Sequence, residues 1–108
     1  MQRTAIALLA LGIAGQAAAQ EIVAPAPGPR PDMGCLVRGL DPNGDGFLAV
    51  RSGPGTGYPQ IDSLRNGDAA FLGAQCEGRW CYVDGGAKNG RETALRGWIY
   101  DAWCEFYP

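Results

Sequence analysis

From Phe47 to Pro59 the chain reads Phe-Leu-Ala-Val-Arg-Ser-Gly-Pro-Gly-Thr-Gly-Tyr-Pro, and no other stretch restricts the possible folds so tightly. The first five residues are apolar or tolerate a strand. Leu48 and Val50 alternate with Ala49 and Arg51, the two-residue period of a half-buried strand. Three glycines and two prolines then fall within seven positions. Glycine opens the positive-φ conformations a tight reversal needs, whereas proline locks φ and withholds a donor. The strand therefore ends in a rigid, shaped loop.

The remaining segments extend the same theme. Cys35–Arg38 reads as a short strand, Gln60–Leu64 as a second extended segment, and Ala69–Gln75 as a third, with Ile61, Leu64, Phe71 and Leu72 as core candidates. Arg65-Asn66-Gly67-Asp68 carries the Asn-Gly pair favoured in tight hairpin turns. Glu77-Gly78-Arg79 is a turn before Trp80–Val83, and Leu95–Tyr100 is the last long strand. Asp101–Trp103 reads as one helical turn before a final strand from Cys104 to Phe106. Asp84–Ala94 has almost no apolar content and is expected as an exposed loop. No helical period occurs after residue 19, so the pattern predicts a small all-β domain.

The two ends of the organisation are set before residue 34. Arg3, an apolar run from Ala5 to Ala14, and Ala17-Ala18-Ala19 have the form of a cleaved export signal over residues 1–19. Residues 20–33 hold Pro25, Pro27, Pro29 and Pro31 at every second position. That spacing excludes helix and interior strand, and it predicts an extended, polyproline-II-leaning leader with too few apolar side chains to pack. A sharper reading makes the leader a ligand for a proline-recognising groove, this domain's own among them. Residues 34–108 form one domain.

Four cysteines in a short exported chain point to two disulfides, in three possible pairings. Cys76 and Cys81 flank Glu-Gly-Arg-Trp, a hairpin tip that can set them face to face, which leaves Cys35 and Cys104. Loop-closure entropy is worth roughly 4 kcal/mol for a loop of about 70 residues and roughly 2 for one of about six. The spacing fits no usual zinc pattern and lacks Cys-x-x-Cys.

Four motifs together resemble the bacterial Src-homology-3 (SH3-like) domain family. They are the Val50-Arg-Ser-Gly-Pro-Gly-Thr-x-Tyr-Pro59 run, Leu64-x-x-Gly-Asp68, Gly78-Arg-Trp80 and Gly97-Trp-Ile99, which with the flanking strands span residues 47–104. The resemblance implies a small SH3-like barrel of about five to six short strands, stapled by disulfides. In such a barrel the chain ends approach each other, which implies Cys35–Cys104 beside Cys76–Cys81. The four cysteines and a longer Asp84–Ala94 loop depart from the family pattern.

The inventory of reactive groups is thin. Histidine is absent, and the eleven carboxylates are scattered beside turns, so no catalytic constellation is read and no enzyme is expected. Asp41, Asn43 and Asp45 match part of a calcium loop, but the twelfth position is Ser52, the flanks read as strands, and a turn is the better reading. No cofactor or metal is expected. Eight basic against eleven acidic side chains after residue 19 argue against nucleic acid. Aromatic residues are plentiful, including Tyr58, Trp80, Tyr82, Trp98, Tyr100 and Trp103, and suit peptide or sugar recognition, although core packing is the better reading of Trp80 and Trp98, which are expected to fill the barrel. A ligand surface is expected on the rim made by Ser52–Tyr58 with the Asp84–Ala94 loop. Tyr58 would stand at that rim, with Trp98 or Trp103 beneath it and Arg51 bracing the loop. The resulting expectation is a monomeric, non-catalytic binding module, periplasmic or secreted, with no membrane anchor once the signal is cleaved. The resemblance implies a cell-wall peptide or a protein partner as ligand. The alternative is a subunit or inhibitor of an exported enzyme that uses the barrel as scaffold.

Overall fold

A computed structural model of the chain describes residues 21–108. The expected export signal and its cleavage point before Gln20 lie outside the described residues. The described residues hold eight strands: β1 (Gly34–Val37), β2 (Leu48–Arg51), β3 (Gln60–Leu64), β4 (Ala69–Leu72), β5 (Trp80–Lys88), β6 (Arg91–Thr93), β7 (Gly97–Tyr100) and β8 (Cys104–Tyr107). One 3-10 turn, Asp101–Trp103, joins β7 to β8. All pairings are antiparallel, in the order β3-β2-β7-β5-β4-β1-β8, with β6 paired to β5.

Alternation along the strands builds the interior. Leu48 and Val50 of β2, Cys81 and Val83 of β5, and Ile99 of β7 point inward, where they join Cys35, Val37, Leu64 and Leu72 in one cluster. Six strands from across the order thus share one core, which requires the strip to roll up. Its edge strands β3 and β8 are not joined by a ladder among the described residues, so the expected barrel is not closed. The β5–β6 hairpin reaches β3 instead. Lys88 pairs with Asp62 at 2.5 Å, and the Asn89 N–H donates to the buried Asp68 carboxylate.

That hairpin corrects two expectations, the strand number of about five to six and the exposed loop at 84–94. Lys88 faces Arg91 across a two-residue turn, with φ of 53° at Asn89 and 77° at Gly90. Positive φ at both positions is the type I′ geometry that Asn-Gly favours and that matches strand twist. The hairpin therefore needs no apolar side chains to form. Asn66-Gly67 behaves differently. Only Gly67 has a positive φ there, and the flanking β3 and β4 pair with other strands rather than with each other. Asn66 instead clamps Leu40, accepting from its N–H and donating to its carbonyl, both at 2.9 Å.

Two disulfides complete the domain. Cys35–Cys104 ties β1 to β8 with Cα atoms 5.0 Å apart, and Cys76–Cys81 spans the Gly78-Arg79 tip with Cα atoms 4.1 Å apart. Glu77 and Trp80 exchange both backbone hydrogen bonds at that tip, which brings the cysteines on either side together. Two bridges in so small a domain fit an oxidising compartment. No helix among the described residues is long and apolar enough to cross a membrane.

The leader is extended, but it is not a free tether. Residues 21–33 lie along the sheet. The Val23 N–H donates to the Ser52 carbonyl at 2.8 Å, and the Ala26 N–H donates to Glu77 Oε2 at 3.1 Å. Arg30 forms a two-pronged pair with Asp84 at 2.5 and 2.7 Å, and the Met33 carbonyl accepts from Leu72. The expectation that the leader has too little apolar surface to pack overlooked what the sheet supplies. Ile22 packs against Ala74, Tyr82 and Trp98, a second cluster on the outer face.

Candidate functional site

The site grows from the same alternation that builds the core. Where Cys81, Val83 and Ile99 point inward, Trp80, Tyr82, Trp98 and Tyr100 must point outward, because successive strand residues face opposite sides. The β5–β7 register sets Trp80 opposite Tyr100 and Tyr82 opposite Trp98. Both pairs meet edge to face. The Trp80–Tyr100 centroids are 5.3 Å apart at 62°, and those of Tyr82–Trp98 are 5.5 Å apart at 65°. This geometry is favoured because a ring's positive edge meets its neighbour's negative face.

The Tyr82–Trp98 pair is closed. Trp98 is fully buried, and its indole N–H donates to the Val23 carbonyl of the leader at 2.9 Å. The Tyr82 hydroxyl accepts from Arg96 Nε at 2.8 Å. The Trp80–Tyr100 pair is half-exposed and forms one wall of an open groove of about 550 Å³. Ala49 and Arg51 of β2 form its floor, and Gly55 and Thr56 form the opposite lip.

The lip is a shaped loop, as its composition predicts. Ser52 N–H donates to the Pro59 carbonyl, and Tyr58 N–H donates to the Gly55 carbonyl, which closes the turn on itself. The Tyr58 ring folds back over Gly53, where a β-carbon would fall 2.4 Å from the ring. Only glycine fits beneath that ring. Arg51 Nη1 donates to the Tyr58 carbonyl at 2.9 Å, so the arginine braces the loop.

Electrostatics distinguish the cations around the groove. Arg79 lies 4.9 Å from the Tyr100 ring centroid and is paired with Asp101 at 2.5 Å. Arg51 makes no ion pair among the described residues, so its other guanidinium donors are available to a carboxylate. Farther along the face, the hydrogen bonds from Arg30 hold the Asp84 carboxyl below its ordinary range, against an opposing effect of burial.

Of the four residues expected at the site, Arg51 and Tyr58 are joined at the lip. Trp98 neighbours Arg51 across the β2–β7 ladder but faces the leader rather than solvent. Trp103 lies elsewhere. It is 40% exposed, packs against Gly39, and lines a shallow hollow with Leu40 and Phe47. The Asp84–Ala94 hairpin does not line the groove, so the expected rim of two loops is replaced by one loop and an aromatic pair. Trp80 and Tyr100 were legible as the i and i+2 neighbours of Tyr82 and Trp98. Asp41 turns its carboxylate onto the Asn43 N–H at 2.9 Å, a local turn contact.

No family model, curated protein or solved structure matches this chain.

Proposed function

We propose that this chain is a non-catalytic binding module of the bacterial Src-homology-3-like type, exported to the periplasm or beyond, which holds an extended peptide in the groove between Trp80–Tyr100 and the Gly55–Thr56 lip. The observation that carries the reading is the half-exposed aromatic pair standing beside Arg51, a cation with no carboxylate partner among the described residues. Aromatic rings supply broad contact area at low entropic cost, and a guanidinium fixes a carboxylate by paired hydrogen bonds. Cell-wall peptides and the acidic segments of protein partners both present such carboxylates along an extended chain. The adjacent half of the same face supports this reading, since an extended segment already lies on it.

The test is co-sedimentation with purified peptidoglycan beside capture from a periplasmic extract. Wild-type protein is expected to bind one of the two, and Trp80→Ala and Arg51→Ala to lose that binding while the melting curve shows a folded domain. Folded variants that bind as well as wild type would remove the groove from consideration.

A further inference from the structure

We infer that the Tyr82–Trp98 face is itself a peptide-binding surface, and that the leader is its displaceable occupant, holding it until a separate extended polypeptide of the same chemistry takes its place. That chemistry is an aliphatic pair, then prolines at alternate positions, then a basic residue seven positions after the second aliphatic. The surface adjoins the open groove, since Trp80 lines the groove and packs against the covered cluster, but the inference does not depend on what the groove binds.

Three features of the contact argue for recognition rather than for a piece of core. The first is spacing. Val23 sits at Ser52 and Trp98 while Arg30 sits at Asp84, and seven residues of polyproline-II chain cover about 22 Å. The sheet thus offers a hydrogen-bonding anchor at one end and a carboxylate at the other, matched to an extended strand. The second is the polar set. The Trp98 indole N–H, the Ser52 carbonyl, the Glu77 carboxylate and the Asp84 carboxylate all aim at the leader; the first three contact its main chain and Asp84 takes the charged tip of Arg30. Sites that read extended peptides use main-chain bonds for affinity and a few side-chain contacts for selectivity.

The third feature is how lightly the occupant is held. Apart from Ile22, Pro25 and Pro31, every residue from 21 to 33 is exposed, and the contacts rest on few buried apolar groups. Segments of that kind open locally at a small fraction of the global unfolding cost. When the leader leaves, Trp98 and Tyr82 join Trp80 and Tyr100 in one uncovered aromatic face, because the two pairs are alternate rungs of one ladder, with the inward Cys81–Ile99 rung between them. The vacated face keeps the acidic Glu77 and Asp84, which select a basic residue in the newcomer.

The test uses the full mature chain. Amide hydrogen exchange should show the Val23 and Ala26 N–H groups exchanging much faster than those of Val83 and Ile99, a sign of local release. The blocked peptide Glu-Ile-Val-Ala-Pro-Ala-Pro-Gly-Pro-Arg-Pro-Asp is then titrated into wild type and into an Ile22→Ser/Arg30→Glu double variant, whose own leader is weakened while the face is untouched. A tethered leader competes at an effective concentration near millimolar, so the double variant should bind the peptide about tenfold more tightly than wild type. A peptide with glutamate in place of its arginine should bind neither protein. The inference is overturned if Val23 and Ile99 exchange together, or if the folded double variant binds the peptide no better than wild type. Loss of peptidoglycan or partner binding on Arg51→Ala, whose guanidinium donates to the Tyr58 carbonyl and not to the leader, leaves both readouts unchanged, so the two readings fail separately.

Discussion

Two halves of one sheet face carry nearly the same aromatic pair and meet different fates. Trp98 crosses Tyr82 much as Trp80 crosses Tyr100, with centroid distances and angles that almost coincide. One pair is buried beneath the leader and the other lines an open groove. Pair geometry therefore does not decide which is core and which is site. The cover decides it, and the cover is held by the polar groups near each pair. The Trp98 indole finds a carbonyl in Val23, and Asp84 finds a guanidinium in Arg30. Beside Trp80 and Tyr100, Arg79 is taken up by Asp101, but Arg51 is claimed by no carboxylate among the described residues.

The strongest way to break this comparison is to truncate the covered tryptophan. Trp98→Ala removes a fully buried side chain and is expected to cost about 3–5 kcal/mol, seen as a large fall in melting temperature. Should Trp98→Ala melt like wild type, the covered half contributes no packing and the contrast collapses. Trp80→Ala should invert that pattern. Binding in the groove should fall by about 2 kcal/mol, read by titration with whichever ligand co-sedimentation identifies, with a smaller change in melting temperature.

A gentler substitution isolates the polar handle. Trp98→Phe keeps an aromatic ring but deletes the bond to Val23, and should cost about 1 kcal/mol. Its signature is faster amide exchange at Val23 with unchanged exchange at Val83. The smallest effect comes from pH. Because Asp84 is held below its ordinary range, its contribution is complete above that range and is lost as pH falls through the lowered value. Leader amides should therefore lose protection below about pH 4, before the core does, as exchange measured down an acid series will show. Asp84→Asn should abolish that pH step.

Much of the architecture was legible because its signals are local. Alternation in Leu48–Arg51 assigned inward and outward faces there, and the turn residues between Cys76 and Cys81 allowed those two cysteines to face each other. The brace from Arg51 to its loop was legible for the same reason, since seven residues separate donor and acceptor. Trp80 and Trp98, whose size suggested barrel filling, stand on the outer face because Cys81 and Ile99 take the inner one. The Asn89-Gly90 hairpin was present in the sequence as a turn signal, but low apolar content around it pointed to a loop.

Other features belong to the tertiary structure alone. Composition determined that residues 21–33 are extended, because alternate prolines leave the backbone little else. Whether they hang free or lie on the sheet depends on contacts with distant partners, such as Val23 with Trp98, 75 positions apart, and Arg30 with Asp84, 54 positions apart. The same holds for Trp103, whose type suited a site but which accepts from the Arg38 N–H through its carbonyl and lines a hollow with Leu40 and Phe47 instead of the groove. The sequence by itself determined the strands, turns and facing of side chains, which are set by dihedral preference and hydrophobic period over a few residues. Only the folded chain decided which aromatic pair is covered, because that depends on surfaces and hydrogen-bond partners that meet after the strip has rolled around its core.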